Sequence, residues 1–340
     1  MAYSFWAKAP ATMMMMGEHS VLWGSPAIVQ AFDRYVTCCL SPRCDGVVHV
    51  ASDLGTYTFH WSSFPFVAQE NPLEKSLLPP CSFMGFVRGV LAYFFSTLYG
   101  KGMDITITST IDSTWGLGSS AATVVSMIGV MNEFLELALT PFDMIHIGQQ
   151  IVGYVQGAGS GADIAGSTMG GMVAFYPRAI EQCHALDGHR LGIVPIYCGY
   201  KIPTSYVIEM VKTQANAYPS YRELMNHHGA LATLSIEQLK GQDIGSFLQS
   251  YQGAQGVMKD MGLSSFVLDA IVSFLSDRGM VGKISGSGLG DCVMGLWDQK
   301  QSPDPTLHHH NGPGIMIPAK PDHQGLVWWK GDTSPNSWGD

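Results

Sequence analysis

The chain has 340 residues, enough for two domains that each bury a core of their own. Hydrophobic residues make up 46% and mean hydropathy is +0.13, yet no apolar run reaches the about 18 residues that a membrane-spanning helix needs. A formal net charge of -9 speaks against nucleic acid as a partner but leaves room for a small anion held by backbone amides.

The first ten residues, MAYSFWAKAP, have neither a long apolar segment nor a processing pattern, so secretion is not expected and the chain is read as cytoplasmic. Seven cysteines without a CxxC pair read as free thiols, not as disulfides or a zinc cluster. Met13 to Met16 form an apolar strand-like run whose soft side chains suit a core. Gly17 then opens a turn, and Glu18 and His19 form either a local hydrogen-bonded turn or the ligand side of a site. Residues 27–30 and 35–40 read as two short strands around a turn at Asp33 and Arg34, and residues 46–61 as a hairpin turning near Asp53 and Gly55. Residues 62–80 read as a loop or irregular helix. A single packed helix is expected over residues 82–99, with Phe83, Phe86, Tyr93, Phe94 and Phe95 in the core, ended by Gly100 and Gly102.

ITITST, residues 105–110, alternates as a strand does. TWGLGSSAATVV follows, a glycine turn running into small helix-compatible residues, which puts the amides of residues 116–120 at the first turn of a helix. That is a frame for phosphate; the alternative is that the glycines only let strand and helix approach closely. The helix is expected to run through Met131 and Leu137, with Pro141 near the start of the next.

A second glycine cluster, GAGSGADIAGSTMGG, precedes the strand MVAFY, residues 177–190 read as a loop, and LGIVPIYC is another strand. The domain boundary is placed there, giving residues 1–190 and 191–340. Thr204 and Ser205 stand before an amphipathic helix, as caps or as ligand contacts. Residues 221–278 are mostly helical; the adjacent His227 and His228 point to different faces and do not suit a metal pair. A third cluster, GKISGSGLG, contains Lys283 and leads into the strand DCVMGLW. Beyond it, His308 to His310 sit in a loop, and GIMIPAK and LVWW read as edge strands.

None of the clusters is a Walker A loop or a dinucleotide fingerprint, and the HRD and DFG elements of protein kinases are absent. What remains is a nucleoside triphosphate held at Ser119 and Ser120, with a serine hydroxyl available to magnesium. Asp163, a carboxylate among small residues, could then orient or deprotonate an alcohol that attacks the terminal phosphate, or else cap the segment after it.

The stretches APATMMMMGEHSVLWGSPAI, TWGLGSSAA, GSGADIAGSTMGG and KISGSGLGDC, in this order and spacing, resemble the GHMP small-molecule kinases over nearly the whole chain. Within that group the chain is most similar to the mevalonate kinases, in the GEHSVLWGSPAI form of the first motif and in residues 259–272. GSGAD and Asp291 before Cys292 look more like phosphomevalonate kinases. The resemblance implies an α/β (α+β) two-domain GHMP kinase fold: a ribosomal protein S5 domain 2-like N-terminal domain, and a ferredoxin-like C-terminal domain. ATP and an alcohol, mevalonate or a related one, would share the cleft. It further implies that Gly116, Leu117, Gly118, Ser119, Ser120 and Ala121 wrap the phosphates, with Ser120 on Mg2+. Gly286, Ser287 and Gly288 would close the phosphate end, Asp163 would be the catalytic residue, and Glu18, His19 and Thr204 would face the substrate. A homodimer is the assembly common among such kinases.

Three departures bear on this. Ala11 and Thr12 stand where the group has Gly and Lys, and Lys8 is a candidate substitute. Val152 stands where mevalonate kinases often carry a magnesium-binding Glu. Basic side chains for a second substrate phosphate are few, with Arg34, Lys201 and Arg222 the candidates. A nucleotide-binding relative without turnover is the non-enzymatic alternative.

Overall fold

The run that ends in four methionines forms strand β1 (Ser4–Met16), and every residue from Ala9 to Met16 is buried. A strand covered on both faces has no need to alternate, which is why the segment reads as a continuous apolar run. The computed structural model describes residues 3–63, 83–112, 114–157, 159–300 and 312–331. The expected loop beyond Ser63 and the histidines 308–310 lie outside these residues.

β1 pairs antiparallel with β2 (Ala27–Arg43), which is one strand of 17 residues. The turn expected at Asp33 and Arg34 is therefore absent. Pro10 faces Tyr35 and Ala11 faces Phe32, so the two residues form a bulge in a continuing strand. Their polar groups are met by the distant segment near Lys320: the Asp33 amide donates to the Lys320 carbonyl at 2.8 Å, and the Lys320 amide donates to Asp33 Oδ1 at 2.7 Å.

The expected hairpin forms as β3 (Val47–Ser52) and β4 (Gly55–His60). β5 (Gly102–Ser109) runs antiparallel to β2 and parallel to β3. The helix expected over 82–99 is two pieces, α1 (Phe83–Tyr93) and α2 (Phe95–Leu98), separated at Phe94. Phe86 and Phe94 are buried, while Tyr93 and Phe95 are partly so. α3 (Ser119–Phe134) is buried along nearly its whole length and lies across β1 and β2, touching α1. It stops short of Leu137, because Glu136 and Ala138 take left-handed backbone and Asn132 Oδ1 accepts the Leu139 amide at 2.9 Å. α4 (Pro141–Gln156) starts with proline in its first turn and a reciprocal Thr140–Asp143 capping box. α5 (Ala162–Met169) leads into β6 (Met172–Phe175), which pairs with β2 and with β7 (His184–Leu186), a short strand inside the expected loop.

The second sheet has four strands in the order β11-β8-β10-β9: β8 (Leu191–Tyr197), β9 (Val281–Ser285), β10 (Cys292–Asp298) and β11 (Ile315–Met316). With it go α6 (Thr204–Ala217), α7 (Pro219–Lys240), α8 (Ile244–Asp260) and α9 (Phe266–Ser276). Two mixed layers of helix and sheet result, as the sequence led us to expect. Residue 190 falls between the first sheet's β7 and the second sheet's β8. The chain then crosses back, since β12 (Val327–Gly331) pairs with β1 and Trp329 stacks on Trp6. Six cysteines are free thiols among the described residues, and no described helix is long and apolar enough to cross a membrane.

Candidate active site

The three glycine-rich stretches converge on one cleft between the two sheets. Gly116, Gly118, Ser119, Ser120 and Ala121 line it from the start of α3, Asp163 from α5, and Gly286, Ser287 and Asp291 from the loop between β9 and β10. α3 begins after Gly118, which has a φ of 65°, and no side chain caps it, so the helix offers its first amides to the cleft. A side chain at 118 would put its first carbon 2.4 Å from Thr12 Oγ1, and one at 116 would meet Asp291 Oδ1 at 2.8 Å. Only glycine lets the α3 loop come this close to both β1 and the late loop.

Asp163 sits in the first turn of α5, where Thr12 Oγ1 donates to its Oδ1 at 3.1 Å. The Thr12 amide in turn donates to the Leu117 carbonyl at 3.1 Å, so one residue of β1 holds both the carboxylate and the phosphate-type loop. Burial pushes the Asp163 carboxyl above the usual range, against the Thr12 hydrogen bond and the positive charge of Lys201. The carboxylate is therefore more basic than a solvated one, as a group that accepts an alcohol proton must be.

Asp291 has left-handed backbone, with a φ of 63°, and Leu289 shares that conformation at 62°. Asp291 is buried, its Oδ1 has no hydrogen-bond partner, and its carboxyl is likewise raised by burial and opposed by Lys201. Ser120, Asp163 and Asp291 thus bring three hard oxygen donors to one cleft.

His19 Nε2 lies 2.8 Å from the Ser287 carbonyl. A carbonyl only accepts, so Nε2 carries the proton and the Nδ1 lone pair is left, buried and unpartnered, beside the cleft. Burial holds His19 below its ordinary basicity, which keeps the ring neutral.

Glu18 is placed differently. It borders the cleft, but Lys283 donates to its Oε1 in a pair whose two side chains are fully buried. Lys283 also donates to the Ile284 carbonyl at 2.6 Å. His228 Nε2 stands 3.4 Å from Glu18 Oε2, close in charge terms but outside hydrogen-bond geometry. Burial lowers the Lys283 ammonium and its Glu18 partner offsets part of that. The pair joins the turn after β1 to β9, and Ser285 Oγ adds a second tie by donating to the Met14 carbonyl at 2.8 Å.

Thr204 lines the cleft as the first residue of α6 and is exposed; neither it nor Ser205 caps that helix, whose cap position is Pro203. Leu117 and Gly288 do not line the cleft. The Leu117 side chain is buried, and a side chain at 288 would strike the Leu263 carbonyl. Val152 lines the cleft as an apolar wall. Lys8 does not reach it; its ammonium lies over the Tyr35 ring, 3.6 Å from the centroid. Arg34 is engaged by Asp33 and the Pro318 carbonyl. Lys201 does line the cleft. It is one of the three basic candidates named from the sequence, a lone lysine just before a helix start in GYKIPTS, which carries no motif of its own.

Residues 85–171 match the family described as GHMP kinases N terminal domain. The chain is 28% identical over 332 residues to a mevalonate kinase of Thermococcus sibiricus, covering 94% of this chain and 97% of that one. Among solved structures it is similar to Lactococcus lactis galactokinase complexed with galactose, with a TM-score of 0.75 at 14% identity over 95% of both chains. It is likewise similar to Methanococcus jannaschii mevalonate kinase, with a TM-score of 0.70 at 18% identity over 96% of both. The chain is a small-molecule kinase with a GHMP kinase N-terminal domain and the two-domain fold of such enzymes; kinases of this group take the phosphate from ATP.

Proposed function

We propose that this chain transfers the γ-phosphoryl group of ATP to the 5-hydroxyl of mevalonate. The observation that carries the reading is a basic, Thr12-held Asp163 facing the uncapped start of α3 across one cleft. The choice of alcohol rests on the sequence relatives, because the folds of a galactokinase and a mevalonate kinase match the chain about equally well.

In this reading the amides at the start of α3, with Gly116 and Ser119, hold the triphosphate, and Gly286 and Ser287 close over it. Asp163 accepts the proton of the attacking hydroxyl. The oxygen of that hydroxyl forms its bond to the γ-phosphorus as the bond to the ADP oxygen breaks, so ADP and a phosphomonoester leave. His19 Nδ1 and the Thr204 hydroxyl face the acceptor and position it, while Glu18 acts from behind through Lys283. The hard oxygens of Ser120 and Asp291 fit Mg2+, which when bound with the nucleotide neutralises phosphate charge.

Phosphomevalonate is the second reading, favoured by Asp291 ahead of Cys292. A second phosphate calls for several cations, and Lys201 is the one Lys or Arg lining the cleft among the described residues. ADP release from magnesium ATP with mevalonate, phosphomevalonate and galactose tests the choice. Mevalonate should give the highest kcat/KM. Nucleotide binding without turnover of any of them would leave a regulatory relative instead.

A further inference from the structure

Transfer of a phosphoryl group spreads negative charge over its oxygens, and helix amides and a metal are helped by a side-chain cation that meets that charge. At the position in β1 nearest the Asp163 carboxylate, this chain has an uncharged threonine. The cation of the cleft comes from the opposite domain. Lys201 lies in the segment between β8 and α6, and it lines the same cleft as Asp163, Asp291 and Ser120. The backbone around it is fixed to the late loop: the Cys198 amide donates to the Asp291 carbonyl at 2.8 Å, and the Asp291 amide donates to the Tyr200 carbonyl at 3.0 Å. The Tyr200 hydroxyl is tied in turn to Ser265 Oγ at 2.6 Å. The Lys201 ammonium itself makes no ion pair within 4 Å among the described residues, although Asp163, Asp291 and Glu18 line the same cleft.

A cation on a fixed base, unclaimed by the acids beside it, suits a ligand that brings its own negative charge. We propose that Lys201 is the side-chain cation of the transfer step, donating to the γ-phosphoryl group as it passes from ADP to the acceptor oxygen. The proton still goes to Asp163 and the bond changes are unaltered; Lys201 keeps its own proton throughout. Its charge also favours the ionised form of Asp163 and Asp291, which among the described residues are the only carboxylates besides Glu18 that line the cleft. Because the residue is exposed and unpaired, removing it leaves folding intact, and the effect falls on kcat.

This rests on the kinase reading given above, and two measurements separate them. In steady-state assays with magnesium ATP and mevalonate, Lys201→Met should lower kcat by about 100-fold, with the Kd for ADP changed less than about threefold and Lys201→Arg recovering part of the loss. A kcat for Lys201→Met within about threefold of the unsubstituted chain overturns the proposal. The second measurement needs no acceptor: ADP affinity with magnesium, with and without aluminium fluoride as the mimic of the transferred group. The unsubstituted chain should bind ADP at least about tenfold tighter with the fluoride complex, and Lys201→Met should lose that gain. Equal responses in the two proteins, whether tightening or none, overturn it. If no alcohol is turned over but the fluoride responses differ, the choice of substrate fails and Lys201 stands.

Discussion

Lys283 and Lys201 both stand beside acidic residues of one cleft, on segments that border the same late loop, and they are used in opposite ways. Lys283 is fully buried, bonded to Glu18 and to a backbone carbonyl, and tied by that pair to the far sheet. Lys201 is exposed, shares its cleft with Asp163 and Asp291, and pairs with neither. A buried charge whose partners are all protein is committed to structure, since removing either partner strands the other in a medium that solvates it poorly. A charge left unpaired at an open cleft costs little to keep there and is free to act on a ligand. Residue type alone does not separate the two roles; burial and the identity of the partner do.

Substitutions at the two ends should break the comparison if it is wrong. Asp163→Asn should lower kcat by about a thousandfold while ADP binding stays within about threefold, measured by coupled turnover and calorimetry. Folding gives an opposing sign there. Burial raises the Asp163 carboxyl, so the folded chain disfavours its ionised form, and at neutral pH the amide should hold or raise the melting temperature. Lys283→Met should act the other way, destabilising the chain by about 3–5 kcal/mol in denaturant titrations because Glu18 is left buried and unpaired. Adding Glu18→Leu to that variant should recover much of the loss.

Smaller effects follow at the edges of the two groups. Ser120→Ala should raise the magnesium concentration needed for half-maximal turnover by about tenfold, with little change at saturating magnesium. His228 behind Glu18 is held well below its ordinary value of 6.5 by burial, so the unfolded chain takes up that proton first. Its neutral form contributes fully above that value, and stability should decline as pH falls below it. Between about pH 7.5 and 5 the melting temperature of His228→Asn should therefore fall less than that of the unsubstituted chain.

What the sequence made legible was local. GLGSSAA announces a glycine turn entering a helix because both facts depend on residues a few positions apart, and Asp163 stands out among small neighbours for the same reason. Glu18 reads as a substrate-side residue from its motif beside a turn; its bond to Lys283, 265 residues on, has no sequence signal, since no spacing rule joins a turn after the first strand to the ninth. The bulge at Asp33 and Arg34 has the composition of a turn; it remains strand only because the Lys320 segment satisfies its polar groups. Lys8, close to Thr12 along the chain, was the natural candidate for a missing cation. A strand carries side chains at 8 and 12 on the same face yet about 13 Å apart, so sequence proximity gave no proximity to Asp163. Lys201, from the other domain, comes nearer through the folding of the whole.

The most direct test of the account is a single-turnover reaction of the purified chain with γ-labelled ATP and mevalonate, with the product identified by phosphorus NMR. The account predicts label on the terminal alcohol of mevalonate, at a rate lowered in both Asp163→Asn and Lys201→Met but not by loss of ADP binding. Label released only as inorganic phosphate, or transfer that proceeds undiminished in both variants, would contradict it.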